Sequence, residues 1–327
     1  MQWHRTGRRG VLVSLPAIGL LGRASAAPTL DRVARIIVGS QPGGGSDTIA
    51  RTLAERLSGT YAPQVVVENR TGASTRLAVE AVKVAAPDGA TILQTPMPVM
   101  SLFPHTFPKT TRYDALSDFI PAATVGEVAY GWVVRADHPA RNIPSFIAWA
   151  KAKGSFNFAP AVIGAPQHML AVLLSRQAGF EMTVVNYRTG SLAQHDLLGG
   201  RIDAFMSHMA EVGPLAREGR TRLLAVSSPE RLPGKPEVPT FAEQGFPDLT
   251  MTEAFCLMLP AATPAPLVGA LNEAVRVVVE HPAARERLAP LEMVPKVLSP
   301  EATAARIRAE REHWGPIVKA SGFSADD

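Results

Sequence analysis
The chain has 327 residues, 46% apolar and 19% charged, enough for two domains of ordinary size, each with its own core. Its formal net charge is +4, and its single cysteine, Cys256, excludes an intrachain disulfide or a thiolate metal cluster. Beyond the first residues no stretch approaches the roughly 18 consecutive apolar residues of a membrane-spanning helix.

Arg5, Arg8 and Arg9 precede an apolar run from Val11 to Leu21, and Ala24-Ser25-Ala26 follows as a small-residue cleavage pattern. This order is that of a secretory signal peptide over residues 1–26, with cleavage expected after Ala26 and a periplasmic mature protein. The Arg8-Arg9 pair allows twin-arginine export, but its flanking glycines favour the general secretory route. Removing residues 1–26 takes away four arginines and no acid, so the formal charge falls to zero. No nucleic-acid partner is then expected.

Arg35 to Gly39 predicts a short buried strand, Pro42 to Ser46 a tight glycine loop, and Asp47 onward a helix with Ile49, Leu53 and Leu57 on one face. The first N–H groups of a helix have no partner within it and attract anions. Gly43, Gly44 and Gly45 let the backbone approach a ligand, and Ser46 or Asp47 can cap the helix. The stretch reads equally as a plain strand-to-helix turn. Without a Lys-Ser/Thr pair or GxGxxG spacing, nucleotide binding is disfavoured.

Strands follow at Gln64–Glu68 and Ala90–Gln94 around a helix at Ser74–Ala86, with a loop at Thr95–Pro98. Such alternation predicts a parallel sheet covered on both faces, whose ligands collect beyond the strand ends, where the Gly43 loop and Thr95 would lie. The pattern breaks between Tyr113 and Gly126, and a second series begins at the strand Ala129–Arg135. It continues through strands near 156–159, 183–187, 202–207 and 222–226, separated by helices. The proline-rich Ser228–Pro239 reads as a linker back to the first lobe, and helices at 264–279, 282–288 and 300–319 finish the chain. Cys256, in the apolar run Ala254–Leu259, reads as a buried inert thiol. Arg306 to Glu312 alternates in charge like a solvated helix face. The expectation is an α/β protein of two Rossmann-like lobes around a ligand cleft, lobe 1 from 27–125 and 228–327 and lobe 2 from 126–227.

In the second lobe Ala159 to His168 (APAVIGAPQH) is the counterpart of the glycine loop. Ala165, Pro166 and Gln167 start the next helix, Pro166 removing one donor. His168 reads either as a helix-start histidine bonded to its own loop or as a ligand contact. At Tyr187–Ser191, Tyr187 could pack on a ligand, Thr189 or Ser191 could donate to it, and Arg188 could meet a carboxylate, although solvation is the commoner fate of such an arginine. His195, Asp196 and His208 match no familiar metal-ligand spacing. With no G-x-S-x-G or HExxH motif, neither catalysis, metal nor cofactor is expected.

PGGGSD, VENRTGA, PDGATIL, YDALSDF, DLLGGRIDA, VPTFAEQGFP and LPAATPAPLVGALNEAV occur in that order. The series resembles the periplasmic substrate-binding receptors of tripartite tricarboxylate transporters, often called Bug receptors, over roughly Arg35 to Gly322. The resemblance implies a flytrap-like receptor without catalysis, holding a small organic carboxylate between two glycine-containing loops. Carried onto this chain, these loops are Pro42–Asp47 and Pro160–His168. Departures from the family pattern lie mainly in the second loop, where Pro160, Val162, Gly164 and Ala165 replace a Ser-x-Gly-x-Gly-Ser run, and at Ser40 and Tyr187-Arg188-Thr189. The expectation is therefore one carboxylate at Gly43–Asp47 and a less polar far end facing Val162 and Ile163. Partners would be transporter membrane subunits or, alternatively, a membrane sensor; a periplasmic hydrolase is the remote alternative. A monomer suffices for the leading reading.

Overall fold
The computed structural model describes residues 1, 2 and 29–326, so the expected signal peptide lies outside the described residues except for its first two. Its strands are β1 (Ala34–Val38), β2 (Val65–Asn69), β3 (Thr91–Pro96), β4 (Phe119–Arg135), β5 (Ser155–Pro160), β6 (Glu181–Val184), β7 (Ala204–His208), β8 (Thr221–Val226), β9 (Thr252–Pro260) and β10 (Val294–Pro295). Its helices are α1 (Gly45–Leu57), α2 (Arg76–Lys83), α3 (Pro98–Ser101), α4 (Phe103–Thr106), α5 (Ile143–Lys153), α6 (Pro166–Ala178), α7 (Gly190–Leu198), α8 (Met209–Arg217), α9 (Ala265–Glu280), α10 (Pro282–Leu288) and α11 (Pro300–Ser321).

The strand order is β2-β1-β3-β9-β4-β7-β5-β6, with β8 and β10 also paired to β4. Parallel triplets form each end, β2-β1-β3 and β7-β5-β6. The wholly parallel sheet expected is corrected at the centre, where β9 runs antiparallel to β3 and β4, and β4 antiparallel to β7. β9 is buried along nearly its whole length, so its apolar run carries no alternation to mark it as a strand.

β4 joins the two halves. Its 17 residues, at roughly 3.3 Å each, reach about 55 Å, more than one lobe needs. The early part pairs with β9 and β10, the later part with β7 and β8. Register shifts at Pro121/Ala123 and Thr124/Gly126 bend it, and these irregularities are what break the pattern between Tyr113 and Gly126.

Each half has its own core: Ile36, Leu53, Leu257 and Leu271 in one, Trp132, Phe146, Phe158 and Met206 in the other. Val238 of the proline-rich segment packs with Phe205 and Met209, and Phe241 and Leu249 pack in the second core, so this stretch stays against that half until β9 returns. α11 touches both halves, with Ile307 in a cluster with Met97 and Met258, and Trp314 and Val318 beside Trp132.

On this helix Arg308 and Glu312 are exposed as expected, but the solvated reading is corrected at Arg306 and Glu310. Arg306 turns inward to bond Glu127 of β4, Glu310 at 3.0 Å and the Thr252 carbonyl at 2.9 Å, while Ser101 donates to Glu310 at 2.8 Å. The charges satisfy one another where α11 crosses β4 and β9, so burial is tolerated.

Candidate functional site
α1 begins at Gly45, with Gly44 rather than Ser46 or Asp47 as its N-cap and no side-chain cap bond. Asp47, three residues into the turn, is buried and reaches back: its Oδ2 accepts the Gly43 N–H at 2.9 Å and Arg51 Nε at 2.8 Å, and its Oδ1 accepts Asn69 Nδ2 at 2.8 Å. Burial alone would raise its pKa, but Arg51, the Gly43 amide and Asn69 bring it down to about 2. The carboxylate thus serves the loop instead of facing a ligand. The N–H groups of Gly45, Ser46 and Asp47, in the first turn of α1, have no acceptor inside the helix.

The second loop follows the same plan. Gly164, at φ +76°, donates its N–H to His168 Nδ1 at 3.2 Å, as Gly43, at φ +83°, does to Asp47. His168 is buried edge-on against Phe323, and burial lowers its pKa to about 4, so it is a neutral acceptor within the loop. α6 offers fewer free donors than α1: Pro166 has none and the His168 N–H bonds Ala165 O at 3.0 Å. Gln167 remains, its buried Oε1 without a partner.

Between the halves lies a cavity of about 420 Å³. One wall carries Ser74, Thr75, Pro96, Pro98, Val99 and Phe103; the other carries Ala161–Ile163, Ala165–Gln167 and Asn186–Arg188; His208 and Glu253 also line it. Ala73, Ser74 and Thr75 all take left-handed backbone, at φ +46°, +50° and +78°, a conformation costing about 1–2 kcal/mol per residue. A second compartment of about 280 Å³ is lined by Gly45, Val128, His208, Ala210, Glu211, Phe255 and Leu291. His208 is the one residue shared by the two. Another cavity, of about 330 Å³ between α6 and α11, contains no residue of either loop.

Of the expected site residues, Val162, Ile163, Ala165 and Tyr187 line the larger compartment and Gly45 the smaller. Gly43, Gly44, Ser46 and Gly164 shape the loops without appearing in either lining. Thr95 is corrected: β3 runs to Pro96, so Thr95 is fully buried within a strand, and Pro96 and Pro98 hold the wall instead. Tyr187 anchors its hydroxyl on Asp196 at 2.8 Å. Thr189 is the N-cap of α7, bonding the Leu192 N–H, and lies outside both linings. Arg188, for which solvation was the favoured fate, is exposed and also lines the larger compartment.

Sequence reasoning missed Glu253 and the left-handed Ser74-Thr75 turn, and placed Gln167 in the second loop only for its backbone. It weighed His208 only as a metal ligand. Among the described residues no group of three His, Cys, Asp or Glu is placed to hold a metal ion. Burial pushes the Cys256 thiol up, which keeps it protonated.

The family profile described as the tripartite tricarboxylate transporter family receptor matches residues 49–323. Protein BugT of Bordetella pertussis (strain Tohama I) is 30% identical over 316 residues, covering 95% of each chain. Among solved structures, MatC of Rhodopseudomonas palustris with bound malate is similar at 27% identity and TM-score 0.75, over 88% of this chain and 98% of that one. The R. palustris protein Rpa4515 with adipate is similar at 26% identity and TM-score 0.79, over 89% and 97%.

Proposed function
The chain belongs to the tripartite tricarboxylate transporter family of receptors, and on that premise we propose that it is a periplasmic solute receptor closing two lobes on a small carboxylate. It passes that solute to the membrane subunits of a tripartite transporter, as a monomer and without chemical turnover. The observation that carries the reading is the pair of strand–loop–helix units, Gly43–Asp47 and Gly164–His168, associated with adjoining compartments between two separately cored halves. The malate and adipate held by its structural neighbours support a carboxylate as the cargo.

One carboxylate is anchored at the first turn of α1. Gly45 and His208 share the smaller compartment, and His208 shares the larger one with Val162, Ile163, Val99 and Phe103, so a less polar far end extends into the latter. We place the lobes at 29–125 and 252–326 for the first and 126–251 for the second, because Phe241 and Leu249 pack beside Trp132, with the end of α11 bridging. Closure is a hinge motion about β4 and β9.

A thermal-shift screen of residues 27–327 with hexanoate, benzoate, malate and adipate tests this. A ligand at a hundred times its Kd adds about 2.7 kcal/mol of stability. Stabilisation by a monocarboxylate is expected. Stabilisation by dicarboxylates alone would overturn the single anchor, and none with any acid would overturn the carboxylate reading.

A further inference from the structure
We propose that His208 is the cation that reads the ligand's carboxylate, making capture conditional on protonation of this one ring; the inference rests on the carboxylate reading above. His208 ends β7 where the cross strands meet, and it alone lines both compartments. Tyr130 of β4 stacks on its ring at 4.9 Å. Glu253 of β9 sets Oε1 3.1 Å from Nε2, and its other oxygen accepts the Tyr130 hydroxyl. Phe255 closes a further edge at 6.4 Å. The side chain is 34% exposed; its Nε2 is buried 3.1 Å from Glu253 Oε1 without hydrogen-bond geometry to it, and Nδ1 is the nitrogen we assign to the ligand.

The charges around it decide the sign. Glu253 is buried in the cavity floor, and Glu211 of α8, which accepts from Ser207, borders the smaller compartment. On the wall of the larger compartment stands Arg188, and Glu310 of α11 acts on Tyr130 from outside. With His208 neutral, the junction of the compartments presents two carboxylates and repels an anionic ligand. With His208 protonated, Glu253 is matched and an N–H faces the incoming carboxylate. Burial works against that proton, but Glu253 and Glu211 together outweigh it, so the ring's pKa is raised from its ordinary value.

The test is calorimetric titration of residues 27–327 with hexanoate, benzoate, malate and adipate at pH 6, 7 and 8.5, with NMR titration of the ligand-free His208 ring alongside. If only the protonated form binds, Kd rises about tenfold per pH unit above the ring's pKa. In His208→Gln the pH dependence should vanish and affinity at pH 6 fall about ten- to hundredfold, the loss of one charge-assisted bond. Equal affinity at pH values on either side of the ring pKa found by NMR would overturn the inference and leave the carboxylate reading standing. So would a wild-type His208 ring already neutral at pH 6, whatever the fate of the variant. No binding of any acid at any pH would overturn both.

Discussion

In the first loop the N–H of Gly43 donates to Asp47 Oδ2 four residues on; in the second the N–H of Gly164 donates to His168 Nδ1, also four residues on. The device is the same and its chemistry is not. Asp47 carries a charge, matched by Arg51 and hydrogen-bonded by Asn69, and leaves three first-turn amides of α1 without helical acceptors. His168 is neutral and wedged against Phe323, and Pro166 removes a donor from α6. The mechanical pin and the capacity to bind an anion are therefore separable properties of a glycine loop, and this protein keeps the first in both loops and the second mainly in one.

Breaking the charged pin should have the largest effect. Asp47→Ala removes one charge-assisted bond and two more to Asn69 and Gly43, so urea unfolding should show a loss of about 3–5 kcal/mol. A loss below about 1 kcal/mol would mean that the loop holds its shape without the carboxylate.

Acid should separate the two pins. His168 is depressed from 6.5 to about 4, so its stabilising contribution is complete above 6.5 and fades as pH falls toward 4, a loss of about 3 kcal/mol. Asp47, brought down to about 2, holds its contribution until pH falls below the ordinary carboxylate range. Stability measured at pH 6.5 and 4 should show this drop in the wild type and little of it in His168→Gln; an equal drop in both would assign it elsewhere.

The smallest difference lies at the glycines. A Cβ at Gly164 would stand 3.2 Å from Phe107 and 3.3 Å from Ala325, whereas one at Gly43 would meet nothing within 4 Å. Both substitutions impose left-handed backbone on alanine, at about 1–2 kcal/mol. Gly164→Ala should cost about 1 kcal/mol more than Gly43→Ala for the crowding. Equal costs would show that Phe107 yields freely.

Both loops were legible because their signals are local: glycine or proline between a short apolar run and a helix face. Thr95 was misplaced because strand ends carry no such mark, and the choice between a loop contact and a ligand contact for His168 stayed open because a bond to a backbone amide four residues back leaves no trace in composition. Arg306 and Glu310 looked as solvated as Arg308 and Glu312 for a related reason, since a charge buried by its partners has the same sequence as one in water.

By itself the sequence determined the two βα series, the glycine loops that open onto helices and the family to which the chain is similar, all of which rest on periodicity and order along the chain. Only the tertiary structure decided the junction between the halves. Tyr130, His208 and Glu253 come from three strands, the outer two 123 residues apart, and meet because β9 inserts antiparallel beside β4. That pairing depends on two buried strands finding each other's backbone hydrogen bonds, a non-local requirement that no short window of residues expresses.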